Sequence, residues 1–119
     1  SCPSGIYHYN VKEHSLEPVV RRAFSKEEIS MLVGADWLVG SAGMVCMTAV
    51  FHRTINKYGS RGYRFILLEA GHVAQNMLLA GTELGVRIIP IGGVNEESVE
   101  KMMDLGSGGD ERVVYTLFF

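Results

Sequence analysis

Cysteine, proline and tryptophan are scarce in this sequence: two, three and one among 119 residues. Cys2 and Cys46 are too few and too far apart for a disulfide framework. Neither shares metal-ligand spacing with His8, His14, His52 or His72, so no metal site is expected. An excess of either charge is also missing. Eleven basic residues face thirteen acidic ones, a formal net charge of −2, which speaks against nucleic-acid or membrane-surface binding, both normally marked by a basic patch. No stretch reaches the ~18 uncharged apolar residues of a membrane span. Ser1 to Gly5 lack the basic and apolar regions of a signal peptide, as well as an initiator methionine. The cytoplasm is therefore the default compartment, and the N-terminus reads as a continuation of a longer chain. Internal repeats, linkers and low-complexity segments are absent.

What is present is an ordinary globular composition, 47% hydrophobic and 20% charged. One domain of this size buries roughly two-thirds of its unfolded surface. Fourteen glycines and long apolar runs nevertheless suit a large enzyme core better than a small self-contained domain.

Residues 5–9 alternate as a half-buried strand does, and 15–20 return as its hairpin partner, with Pro18 at an edge or exit position. Ser25-Lys26-Glu27-Glu28 is a capping box opening a short helix, to which Leu32, Val33 and Trp37 give an apolar side. Residues 43–50 form a continuous apolar strand, and 51–57 one or two helical turns stopped at Gly59. Proline-free residues 61–84 make a helix roughly 35 Å long that ends at Gly85. Val86 to Pro90 are strand-like and run into a glycine turn at Ile91-Gly92-Gly93. Asn95 caps a helix over 96–104, and 112–119 close the chain as an apolar strand. The order β-β-α-β-α-α-β-α-β favours α+β with a mixed or antiparallel sheet over a doubly wound fold.

Three groups of residues carry possible chemistry. On the long helix, Glu69, His72, Asn76 and Glu83 form one stripe among apolar positions. It is either solvated or interfacial polar surface, or the lining of a cavity where Glu69 and His72 share a proton. Lys57, Tyr58, Arg61, Tyr63 and Arg64 gather around a glycine turn. They are either an exposed helix start or a proton-transfer group, because a desolvated lysine acts as a base beside a phenol. In IIPIGGV, adjacent glycines after a strand let backbone N–H groups approach a flat or anionic ligand, although a plain strand-to-helix turn explains them equally well.

The order of these groups resembles the nitroreductase-like flavoprotein family, in its SagB-type dehydrogenase branch. The resemblance is most specific at KYGSRGYR followed by LLEAGHVAQN, and GIYHYNVKEHSLEPV and ERVVYTLFF extend it over nearly the whole chain. It implies a central, mostly antiparallel sheet flanked by helices, with the long helix at a homodimer interface where FMN is lined by both chains. It further implies oxidation of peptide thiazolines and oxazolines to azoles beside a cyclodehydratase partner. Lys57-Tyr58 occupies the place of the family's catalytic Lys-Tyr pair, and Pro90, Ile91, Gly92 and Gly93 that of the loop approaching the flavin. The family's arginine-containing segment that grips the FMN phosphate has no counterpart before Gly5, and Arg21-Arg22 does not stand in its position. Residues 1–119 are thus expected to be the C-terminal part of a single domain. The competing readings are a flavin-free scaffold or peptide-binding partner subunit, and a general NAD(P)H-dependent nitroreductase acting on small molecules.

Overall fold

The computed structural model describes residues 2–106 and 109–119. The described residues form an α+β assembly of a hairpin, a three-stranded antiparallel sheet, four α-helices and one 3-10 turn, as the order of elements implies.

Strands β1 (Ile6–Asn10) and β2 (Ser15–Val20) pair antiparallel, with His8 opposite Glu17 and Tyr9 opposite Leu16. Asn10 builds the turn: its Oδ1 accepts the N–H groups of Lys12 and Glu13 at 3.0 and 3.1 Å, while His14 takes the left-handed conformation. Strand alternation then places Tyr7, Tyr9, Leu16 and Pro18 on one face. On the other face Glu17 accepts from Asn10 at 2.8 Å and bonds His8 at 3.1 Å.

Helix α1 (Lys26–Val33) starts at the expected capping box, where Ser25 Oγ accepts Glu28 N–H and the Glu28 carboxylate accepts Ser25 N–H. Arg22 reinforces that box, donating twice to Glu28 at 2.8 and 3.0 Å while its guanidinium lies over Phe24. The helix ends at Gly34, whose φ of 59° requires glycine's freedom. Trp37 departs from expectation. It lies in a single 3-10 turn, Asp36–Leu38, and is 64% exposed, while Leu38 is buried to 1%. With three residues per turn, Ala35 and Leu38 share the inward side and Trp37 is turned away.

In the sheet, β5 (Glu111–Phe118) is central, with β3 (Met44–Val50) and β4 (Ile89–Ile91) antiparallel on either side. Leu32 and Val33 of α1, Leu38, Val99 of α4 (Glu96–Met102) and Val113 and Phe118 of β5 make the principal core. β4 is shorter than the expected strand and starts three residues later. Val86 N–H donates to Gly81 O at 2.8 Å and Ile88 packs where a Gly81 side chain would stand, so this stretch closes the long helix before pairing begins.

Helix α2 (Phe51–Tyr58) follows β3 without a loop, and α3 (Arg61–Glu83) returns across it. Two glycines of KYGSRGYR make this corner. Gly59 has φ of 61°, and a Cβ on Gly62 would stand 2.9 Å from Ile55 Cα. Phe51 stacks on Tyr63 and Tyr58 meets Phe65 edge-to-face, with centroids 5.9 and 5.2 Å apart. The buried side of α3 is narrow: Gly62, Ile66, Ala70, Ala74 and Gly81. Among the described residues, no helix is long and apolar enough to cross a membrane.

The corner yields a sign test. Gly62→Ala meets backbone that cannot rotate away and should cost about 1–3 kcal/mol. Gly71→Ala, in the same helix with open space around it, should gain about 0.5–1 kcal/mol from helix propensity. Urea denaturation of both variants checks this; a neutral Gly62→Ala contradicts the close crossing.

Candidate functional site

Lys57 and Tyr58 are the last two residues of α2 and both are exposed. Lys57 Nζ lies 5.0 Å from the centre of the Tyr58 ring, within cation–π range, and that ring is held in turn against Phe65. Among the described residues neither Lys57 Nζ nor Tyr58 Oη has a hydrogen-bond partner in the chain. An ammonium and a phenol are therefore mounted side by side on a closely packed corner, with their polar ends open.

The second expected group divides differently from its sequence pattern. Pro90 and Ile91 belong to β4 rather than to a turn, and Ile91 C=O accepts Thr116 Oγ1 at 2.7 Å. Only Gly92 and Gly93 leave the sheet. Neither has a positive φ, so their value is space: a Cβ on either would meet nothing within 4 Å. α2 packs chiefly on α3, and β4 on β5. Strands β3 and β4 both run antiparallel to β5, however. Hence α2 and Gly92-Gly93 emerge in the same direction along the sheet, on opposite sides of its central strand.

Glu69, His72, Asn76 and Glu83 all face outward on α3. No hydrogen bond joins Glu69 to His72 among the described residues, so the shared proton considered for them has no geometric basis here. The same helix exposes Leu67, Leu68, Val73, Leu79 and, just beyond its end, Leu84.

Other polar arrangements had no local sequence signal. Asp110 caps α2 from 58 residues away: its carboxylate accepts His52 N–H at 2.8 Å and also contacts His52 Nδ1, and its C=O accepts Phe51 N–H at 3.2 Å. The His52 N–H foremost, with the His52 ring and against desolvation, holds the Asp110 carboxyl below its ordinary range. Thr48 Oγ1 donates to Glu111 at 2.6 Å, tying the same junction. Glu100, 8% exposed, accepts Arg112 at 2.7 Å and Val113 N–H at 3.2 Å. A charged residue in a short amphipathic helix reads as surface until the strand that faces it is known.

Cys46 is half-buried in β3, and burial, with the nearby charge of Glu100, pushes its thiol up to about 12. A raised value favours the neutral thiol in the folded chain, so its thiolate stays scarce until pH approaches that value. A maleimide at pH 8 should therefore label the exposed Cys2 and spare Cys46 until the chain is unfolded. Equal labelling of both in the folded chain would contradict the packing of β3.

The chain has similar counterparts among known proteins. MJ1384, a nitroreductase-like protein of Methanocaldococcus jannaschii, is 28% identical over 102 residues, covering 85% of this chain and 51% of the relative. The microcin B17-processing protein McbC of Escherichia coli is 29% identical over 115 residues, 96% of this chain and 41% of McbC. A crystal structure of a nitroreductase-like protein from Anabaena variabilis superposes with a TM-score of 0.81 at 26% identity, covering 98% of this chain and 24% of that one. The chain thus spans about half, or less, of the length of the proteins it matches. Its fold is the nitroreductase-like one that the opening resemblance implied. With residues 6–119 matching the nitroreductase family, this chain belongs to that family.

Proposed function

We propose that this chain is the larger part of a single nitroreductase-like domain in a cytoplasmic FMN-dependent oxidoreductase of the SagB type. Its substrates on this reading are thiazoline or oxazoline rings in a peptide, which it oxidises to azoles. The observation that carries the proposal is the Lys57-Tyr58 pair, held by Gly59, Gly62 and Phe65 with both polar ends unpartnered among the described residues. Similarity to a microcin-processing protein supports the substrate class.

The residues present fit a flavin. Open space over Gly92 and Gly93 leaves room for a flat ring against the backbone, and the N–H groups there are donors for its polar edge. Converting an azoline to an azole removes two hydrogens, one as a proton and one with an electron pair; a bound flavin supplies the acceptor for the latter. Lys57 Nζ takes the proton from the ring carbon, and Tyr58 Oη donates to or orients the reacting ring. Lys57 is solvent-exposed in one chain, so the desolvation that makes a lysine a base comes from whatever covers α2. The exposed leucines of α3 suit a second copy, in keeping with a homodimer whose interface completes the site. A cyclodehydratase is the class of partner that makes such rings and would hand them on.

The visible spectrum tests the core of this reading. The purified protein, as isolated or after FMN titration, should absorb in the blue, and Lys57→Ala should keep that spectrum while slowing azoline oxidation about 10²- to 10⁴-fold. A colourless protein that ignores FMN contradicts the proposal and favours a scaffold. Flavin lost with Lys57→Ala would make that lysine a cofactor ligand, and reduction of small nitroaromatics without azoline oxidation would favour the general nitroreductase. In sedimentation the protein should be a dimer that Leu68→Asp with Leu79→Asp converts to monomer; a strictly monomeric parent contradicts the interface.

A further inference from the structure

An eight-residue helix is unstable by itself, because its nucleus fixes several residues for its first hydrogen bond. α2 compounds the difficulty. Val50 stands at its N-cap with no side chain able to accept a backbone N–H, no acidic residue lies in its first turn, and none of its residues is fully buried. Besides the stack of Phe51 on Tyr63, it is held at both ends. At the C-terminal end, Ile55 and Tyr58 rest on Gly62 and Phe65 of α3. At the N-terminal end the missing cap is supplied through space by Asp110, which precedes β5 by one residue. Asp110 accepts the first two N–H groups of α2, one with its C=O and one with its carboxylate, and the carboxylate also meets the His52 ring. Glu111, next along, takes the Thr48 hydroxyl, so β5 grips the end of β3 and the start of α2 at successive residues.

We propose that Asp110 is a positioning residue for the Lys57-Tyr58 pair: it fixes the origin of α2 against β5, and six residues later that origin sets where Lys57 Nζ stands. The lever is short. At 1.5 Å per residue, Phe51 and Lys57 are about 9 Å apart along the axis, so fraying of the first turn reaches the pair with no intervening hinge. The inference rests on the reading of Lys57 as the base, and a misplacement of about 1 Å in such a group costs up to ~100-fold in rate. Arg53, the residue after His52, adds favourable charge toward the Asp110 carboxylate.

Asp110→Ala and Asp110→Asn separate positioning from general stability, because Asn caps a helix as well as Asp does and Ala does not. In the flavin-free protein, amide exchange should accelerate in Asp110→Ala at Phe51 and His52 and also at Lys57 and Tyr58, and should return to parental rates in Asp110→Asn. In the flavin-loaded protein, Asp110→Ala should lower kcat about 10- to 100-fold with KM and the flavin spectrum unchanged, and Asp110→Asn should restore it to within about threefold. Faster exchange confined to Phe51 and His52, or no rescue by Asn, overturns the inference. If Lys57→Ala leaves kcat intact, the reading of Lys57 has failed instead, and the exchange data still decide whether Asp110 positions it.

Discussion

The backbone-to-backbone approach of α2 and α3 is the constraint on which the candidate site depends. Where Gly62 crosses Ile55, a single methyl group would stand 2.9 Å from a Cα. Only glycine lets the two helices come that close, and only that closeness brings Tyr58 onto Phe65 and Phe51 onto Tyr63. The ring contacts then replace the burial that α2 lacks. The polar ends of Lys57 and Tyr58 can remain open because the corner is built from the Gly62–Ile55 approach and from ring contacts, that of the Tyr58 ring on Phe65 among them.

β5 organises the rest. It pairs with β3 on one side and β4 on the other, and its first residues, with Asp110 before them, capture the start of α2. One strand therefore sets both halves of the proposed site: the helix that carries Lys57-Tyr58 and the strand from which Gly92-Gly93 departs. The polar contacts along it work in the same direction. Thr116 holds Ile91, and Glu100 accepts the N–H of Val113 while pairing with Arg112. Buried polar groups satisfied in this way fix the register of a sheet that apolar contacts alone would leave freer to slip.

Features written in local sequence were legible. The Ser25–Glu28 capping box, the Asn95 cap that accepts Ser98 N–H at 3.0 Å, and the long proline-free helix all lie where their residues place them. Features set by distant partners were not. Val86 to Ile88 have strand composition, yet closing α3 takes their backbone and side chains first. Trp37 fits an apolar helix side on paper, and a 3-10 turn swings it outward. Gly62 and Gly92 are the same residue in sequence; one is demanded by a crossing helix and the other faces open space, which only the folded chain distinguishes. Asp110 and His52 carry no pattern because 58 residues separate them.

On the proposed function, the exposed pair on a glycine-built corner, the glycine pair with empty space above it and the uncovered apolar side of α3 would be parts of one flavin site. On that reading, Lys57-Tyr58 and Gly92-Gly93 face one flavin in the assembled protein. An amide NMR titration of the protein with FMN measures this directly. The resonances of Lys57, Tyr58, Gly92 and Gly93 should move together along one saturation curve. Perturbation of only one of the two pairs, or shifts centred on Trp37 and α1, would contradict it.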